Sequence, residues 1–409
     1  MFYYKQNQFF CEDVSVKEIA SKVGTPLYIY SKNSIIRNLK EYDNAFNSVP
    51  HIVCYAVKAN TNRTILKTIF KLGAGADITS GGELFRSINA GANPEKIVFA
   101  GLGKTEEEIK FAIRKKILLF NVESINELEK INKLAYELGA KVQIAIRINP
   151  GIDPHTHKYI TTGKSENKFG IAIEDAIDIF TKASKYKNVI ISGIHCHIGS
   201  QIVLLKPFLL MAEKISSIVK QLEKRKIKIE YIDIGGGLGI KYKDETPPTP
   251  FQLAKTVLSV LKPLNKKIIL EPGRYIVGNA GILVTKIIYC KKGKQKNFLV
   301  VDAGMNDLIR PTLYGAYHEI LPVEKRHDKK ILADVVGPIC ESGDSLGKNR
   351  KLPWGPEKSL LAIMCSGAYG FTMASNYNSR PRPAEVIVDK DRWEIIRERE
   401  TLKDLIHGE

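Results

Sequence analysis

Over the first two-thirds of the chain, apolar residues come in blocks of strand length rather than singly. Eight such runs occur in order, at 51–59, 75–80, 96–101, 118–124, 141–149, 191–198, 231–235 and 267–271. They are rich in β-branched and aromatic residues and bounded by turn formers, the pattern of strands buried on both faces. Most are separated by segments of helical periodicity. Asn62-Arg-Thr-Ile-Leu-Lys-Thr-Ile-Phe-Lys-Leu72 is one, with Gly73 placed as its C-cap. Thr105-Glu-Glu-Glu108 opens another, with a capping hydroxyl and acids in the first turn. Strands alternating with helices predict parallel pairing through helical crossovers. Eight repeats point to a closed (β/α)8 TIM barrel ahead of an open doubly wound sheet.

After Gly278 the pattern changes. Runs at 282–289, 297–301, 330–336 and 359–364 follow one another with turns between them and few helical stretches. That is the signature of an all-β domain. The expected organisation is an N-terminal segment, 1–29, with a strand at Phe2-Tyr-Tyr4 packing on the β domain, then a barrel over 30–277 and a C-terminal β domain over 278–409. A chain of 409 residues exceeds what one compact core usually organises, which agrees with two domains.

Charge changes the picture less than its size suggests. The formal charge is +18, which raises the question of nucleic acid. The lysines are dispersed and mixed with glutamates, as in Lys220-Gln-Leu-Glu-Lys-Arg-Lys-Ile-Lys228, and the tightest run, Lys291–Lys296, reads as a hairpin turn. No nucleic-acid motif accompanies them, so no such partner is expected; anionic small molecules suit this surface better. No apolar run reaches membrane-spanning length, and no signal-peptide pattern opens the chain. Six cysteines without a CxxC pair or disulfide-dense spacing suit reduced thiols in a cytoplasm.

Candidate chemistry gathers where the barrel strands end, the place from which barrel enzymes draw their active-site groups. Lys58 finishes the run His51-Ile-Val-Cys-Tyr-Ala-Val57. A lysine there suits a Schiff-base amine, although on this stretch alone it could equally extend its ammonium to water. Asp77, Arg147, His195, His197 with Ser200, Asp233 and Glu271 with Arg274 end other strands. Gly235-Gly-Gly-Leu-Gly239 fails the dinucleotide spacing, because position 240 is Ile. Bare amides reaching a phosphate, or a simple glycine turn, remain the two readings of that loop. His195 and His197 lack a second carboxylate or cysteine cluster in the sequence, so no metal is expected. Imidazole over a flat ring is the better use of this pair, with His195 left unassigned. A carboxylate at Glu271, ahead of a rigid Pro-Gly turn, could hold a pyridine nitrogen protonated, as pyridoxal phosphate chemistry requires.

Tyr55-Ala-Val-Lys-Ala-Asn60, His195-Cys-His-Ile-Gly-Ser200, Gly235-Gly-Gly237, Glu271-Pro-Gly-Arg274, Cys340-Glu-Ser-Gly-Asp344 and Gly367-Ala-Tyr-Gly370 occur together in this order. The set resembles the alanine-racemase-fold group of pyridoxal phosphate decarboxylases, and within it the diaminopimelate decarboxylases, from about residue 25 onward. This resemblance implies a barrel that binds pyridoxal 5'-phosphate, a β domain, and a head-to-tail homodimer with shared active sites. It implies decarboxylation of meso-2,6-diaminopimelate to L-lysine, the last step of lysine biosynthesis. It further implies that Lys58 holds the cofactor, Glu271 meets the pyridine nitrogen and His197 stacks on the ring. Ser200, Gly237, Gly273, Arg274 and Tyr369 would surround the phosphate, with Asp77 and Arg147 as supporting groups near the lysine. Arg274, Arg310 and Tyr314 would hold the substrate's distal carboxylate, Tyr369 would also bind substrate, Glu341 would meet the distal ammonium, and Cys340 would deliver a proton.

Related enzymes set the alternatives. Ornithine and arginine decarboxylases take substrates ending in a cation without a carboxylate, whereas Arg310 with Glu341 offers partners for a zwitterion. Carboxynorspermidine decarboxylase also handles a carboxylated amine and stays open on sequence grounds. A racemase would need a second catalytic base where this chain offers Cys340. A non-catalytic pyridoxal phosphate-binding regulator would often lack the lysine or the cysteine that are both present here.

Overall fold

Each of the eight apolar runs forms a strand among the described residues, and all eight pair in parallel. A computed structural model describes residues 1–153, 168–325, 329–353 and 357–409. The barrel strands are β1 (His51–Ala56), β2 (Gly75–Ile78), β3 (Ile97–Phe99), β4 (Leu119–Val122), β5 (Val142–Asn149), β6 (Val189–His195), β7 (Tyr231–Asp233) and β8 (Lys267–Leu270). Each pairs with the next, and β8 closes on β1 with Ile268 opposite His51. Closure removes every sheet edge, and the parallel register brings all eight C-terminal ends to one mouth. Ile52, Cys54, Val98, Leu119, Ala145, Tyr231 and Ile269 belong to one buried apolar cluster.

Local signals in the sequence explain where these elements stop. Arg63–Lys71 forms a helix capped by the Asn62 side chain on Thr64 N–H, and Gly73 follows at φ +91°. Thr105 and Glu108 make a reciprocal capping box at the start of Glu106–Lys115. Seven of the eight strands end earlier than their apolar runs do. β1 stops at Ala56, and Lys58 rides on a 3₁₀ turn, Val57–Ala59. The turn redirects the backbone at the mouth of the barrel, so the lysine is carried by a fixed loop rather than by the strand.

Two compact units result. One comprises Asn38–Ile240 with Thr246–Tyr275 and carries the barrel; the other comprises Met1–Arg37, Lys241–Glu245 and Ile276–Glu409. The second unit is built on the strand Gly281–Lys292, which pairs antiparallel with Leu27–Ser31, Asn297–Val301 and Leu360–Ile363. The basic run at 291–296 is the hairpin between the first two elements of that meander, where Lys292 faces Asn297. Ala384–Asp389 lies parallel to Leu27–Ser31, so the start of the chain is one strand of this unit's sheet. Phe2–Lys5, Gln8–Cys11 and Val14–Ser15 form a small sheet beside it, and Phe9, Cys11, Val14 and Ile19 share a core with Ile282, Val284 and Val386. Ser345–Pro353 and Arg392–Arg397 are strands that the apolar pattern does not reveal. Both are lysine- or arginine-rich with exposed positions, so no apolar run marks them. No helix among the described residues is long and apolar enough to cross a membrane.

Candidate active site

Lys58 meets a carboxylate at the barrel mouth. Its Nζ donates to Asp77 Oδ2 at 2.6 Å, from the end of β1 to the neighbouring β2. Asp77 is fully buried. Burial and the nearby Glu271 raise its pKa to about 7, against the pull of the Lys58 ammonium. An acid that titrates close to neutrality, within hydrogen-bond distance of a lysine, can take up the proton whose loss makes that amine a nucleophile.

Glu271, just past β8, lies in a buried polar cluster. Asn121 of β4 donates through Nδ2 to Glu271 Oε1 at 3.2 Å and to Asp233 Oδ2 at 3.3 Å. His195 Nε2 lies 3.4 Å from Glu271 Oε2. Burial alone would raise Glu271, but the nearby His195 and the Lys58 ammonium outweigh it and hold the carboxyl below its usual range. Asp233 goes the other way: burial, then repulsion by Glu271, push it well above the ordinary carboxylate range. The two carboxyls are thus pushed in opposite directions, Asp233 toward its protonated form and Glu271 toward its ionised form. His195, Asp233 and Glu271 each bring a ligand atom within 4.8 Å of the others, a set that could also hold a cation. The sequence reading saw no carboxylates near the histidine pair. Asp233 and Glu271 reach His195 only because β6, β7 and β8 lie side by side.

Glycines open the space between β6 and β7. Gly236 N–H donates to His197 Nδ1 at 3.2 Å, which leaves the ring proton on Nε2. Burial and then Arg147 depress His197 to about 3, only partly opposed by Glu271, so the ring is neutral across the physiological range. A Cβ on Gly236 would stand 2.2 Å from the Glu271 carbonyl oxygen, and one on Gly237, at φ +105°, would stand 2.5 Å from that of Gly199. Any side chain here would fill the cradle. Arg274 Nη2 donates to Ser200 Oγ at 3.0 Å, linking the turn after β8 to the loop after β6. Gly273 passes close to β1, where an added Cβ would lie 3.0 Å from that of Ala56. Arg147 turns toward Glu123, its ion-pair partner at 2.5 Å, and lies 4.7 Å from the ring centre of Phe169.

These residues fit a flat, phosphate-bearing aldehyde. Among the described residues, Asp77 Oδ1 and both ring nitrogens of His195 are buried polar atoms with no hydrogen-bond partner. Beside them stand an amine at Lys58, a carboxylate at Glu271, and backbone bare enough for close approach at Gly236 and Gly237.

The second unit assembles the remaining predicted residues. Arg310 begins a five-residue helix, Arg310–Tyr314, which ends at Gly315 in a left-handed conformation. Its guanidinium is buried, with the rings of Tyr242, Tyr314 and Tyr369 centred 5.5, 5.6 and 6.0 Å away. Tyr369 is held at φ +56°, costly for an aromatic residue and therefore imposed by its surroundings. Cys340 and Glu341 are exposed on a loop anchored by Asp344, whose carboxylate accepts from Met305 N–H and Ile339 N–H, each at 2.7 Å. Thr312 Oγ1 donates to Gly343 O at 2.8 Å and ties that loop to the Arg310 helix.

Several residues of these networks escaped the sequence reading. Asn121 sits in the fully buried β4, and a lone amide inside an apolar run was the available signal. Lys104 is completely enclosed, donating to Gly101 O, Asn121 O and Glu127 Oε1 at 2.7, 2.9 and 2.6 Å, which uses all three of its protons. Nothing in Gly101-Leu-Gly-Lys104 distinguishes it from a surface lysine. His318, behind Arg310, was likewise unmarked.

Comparison with known proteins places this geometry. Residues 32–278 match the pyridoxal binding domain of the pyridoxal-dependent decarboxylases. The chain is 50% identical to the diaminopimelate decarboxylase of Aquifex aeolicus over 97% of its own length and 94% of the relative's. Among solved structures, that of the Helicobacter pylori diaminopimelate decarboxylase complexed with L-lysine superimposes with a TM-score of 0.92 at 42% identity, covering 95% of this chain and 98% of that one. The M. jannaschii diaminopimelate decarboxylase, also in complex with L-lysine, gives 0.95 at 40% identity, covering 100% and 97%.

Proposed function

The chain belongs to the diaminopimelate decarboxylases within the pyridoxal-dependent decarboxylase family, and on that basis we propose how its own residues carry out the reaction. It is a pyridoxal phosphate-dependent enzyme that removes one carboxylate of meso-2,6-diaminopimelate as carbon dioxide and leaves L-lysine. The observation that carries this reading is the Lys58–Asp77 contact at the same barrel mouth as the buried Glu271, which Asn121 and His195 flank.

When bound, pyridoxal phosphate supplies a conjugated pyridinium able to accept the electron pair left behind by departing carbon dioxide. Lys58 holds its aldehyde through the side-chain amine, and Asp77 takes and returns the lysine's proton. Glu271, pushed toward its ionised form beside His195, would keep the ring nitrogen protonated. His197, neutral and fixed by Gly236, offers its ring for stacking without adding a positive charge. Ser200, Gly237, Gly273 and Arg274, with Tyr369, are the residues that would hold the phosphate, and Arg147 is a supporting charge near His197. At the far end of the substrate, Arg310 and Tyr314, with Arg274 and Tyr369, bind the carboxylate that stays, and Glu341 meets the ammonium beside it. The Cys340 thiol gives its proton to the carbon that lost the carboxylate.

A homodimer completes the site in this reading. Cys340 and Glu341 are exposed on their own loop, which suits residues that serve a partner's barrel. All six cysteines are free thiols, which suits a reducing, cytoplasmic setting.

Carbon dioxide release from purified protein tests the assignment, with diaminopimelate, lysine, ornithine and arginine offered separately. Diaminopimelate alone is expected to turn over well; equal turnover of ornithine would refute it. Arg310→Ala should weaken transition-state binding by about 2–5 kcal/mol, because a desolvated carboxylate loses its partner.

A further inference from the structure

The helix that carries Arg310 ends abruptly, and the ending has a consequence for specificity. Gly315 adopts φ +60° and turns the chain back, so that His318, eight residues after Arg310, returns against the arginine. His318 is completely buried. Its Nδ1 lies 2.8 Å from Met364 O, and Arg310 Nε donates to its Nε2 at 3.4 Å. The partners fix the tautomer. A carbonyl can only accept, so Nδ1 carries the proton; a guanidinium can only donate, so Nε2 is bare. Tyr242 closes one side, its ring edge-on to the imidazole with centres 5.3 Å apart.

We propose that His318 is a positioning residue that sets how Arg310 presents itself to the distal carboxylate of the substrate. Arginine can grip a carboxylate side-on, through Nε–H and one Nη, or end-on, through both Nη groups. The side-on grip needs Nε–H, which His318 takes. The end-on edge is therefore the one we assign to the substrate carboxylate, with the rings of Tyr242, Tyr314 and Tyr369 around the guanidinium. His318 thus favours substrates and products with a carboxylate at the far end, and it does nothing for an amine that lacks one. This inference rests on the role given to Arg310 in the proposed function.

Its test is binding to the holoenzyme, by titration calorimetry, of two amines: L-lysine, which keeps the distal carboxylate, and pentane-1,5-diamine, which does not. His318→Asn keeps a donor near Met364 O and loses the acceptor for Arg310, whereas His318→Gln can reach Arg310 with its amide oxygen. The Asn variant should bind L-lysine about tenfold more weakly, as expected for one lost hydrogen bond to a charged group. Its KM for diaminopimelate should rise by a similar factor with kcat and cofactor retention little changed, and the diamine should bind as before. The Gln variant should recover most of the L-lysine affinity. Unchanged L-lysine binding in the Asn variant, an equal loss for the diamine, or no recovery with Gln would each overturn the proposal. If the Asn variant does not fold, the Gln variant decides alone: near-normal L-lysine binding supports the role and a tenfold loss removes it. Failure of the unaltered enzyme to decarboxylate diaminopimelate would instead strike the proposed function, and the two amines would still separate the outcomes.

Discussion

At the scale of single residues, the site depends on which group holds each proton. His197 illustrates this with a measurable consequence. Its ordinary pKa of 6.5 falls to about 3 in the folded protein, through burial and the neighbouring Arg147. Between those two values the unfolded chain binds a proton that the folded chain does not. Stability is therefore fully present above pH 6.5 and is lost as pH falls toward 3, by at most about 1.4 kcal/mol per pH unit for this one group. His197→Phe keeps an aromatic ring and removes the titration. Urea unfolding of the cofactor-free protein from pH 4 to 7 is expected to show a shallower acid loss in that variant, and parallel curves would show that His197 is not depressed.

Elements set where these residues can meet. The loop after β7 passes the end of β8 so closely that only glycine fits. Gly236→Ala would set a methyl group 2.2 Å from the Glu271 carbonyl oxygen, a distance that requires the backbone of one strand end to move. Because Gly236 N–H also fixes His197 and Glu271 lies at the same strand end, the shift should disturb both. Strain of about 1–3 kcal/mol is expected, together with weaker pyridoxal phosphate retention on dialysis. Gly82→Ala provides the contrast, since its nearest neighbour is a Ser80 hydroxyl at 3.7 Å and it lies within a helix, where alanine is the better residue. Equal retention by the two variants would show that the glycine loop does not hold the phosphate.

For the whole molecule, the question is whether one chain suffices. The proposed head-to-tail dimer has Cys340 and Glu341 of one subunit serving the Lys58 site of the other. Lys58→Ala and Cys340→Ala should each be nearly inactive. Unfolded together and refolded, half of the dimers are mixed, and each mixed dimer contains one site with both residues intact. About a quarter of the unaltered activity should then return, on simple twofold statistics. Activity that stays at background would place both residues of a site in one chain.

What the sequence determined by itself is what periodicity and local chemistry can encode. The eight apolar runs, the cap at Thr105, the glycines after β7 and the lysine after β1 are each specified within a few neighbouring residues, so they could be read before any fold was known. Even there, the strand ended at Ala56 and left Lys58 on a turn, because an apolar run reports burial and not pairing. Tertiary structure alone decided which way each buried carboxyl is pushed. Asn121, His195, Asp233 and Glu271 come from four strands spread along the chain, and a short stretch of sequence carries no trace of their spacing. The same holds for His318 behind Arg310 and for the enclosed Lys104. Burial and Coulomb interactions act through space, over a few ångströms, between residues that only closure of the barrel or the return of a chain brings together.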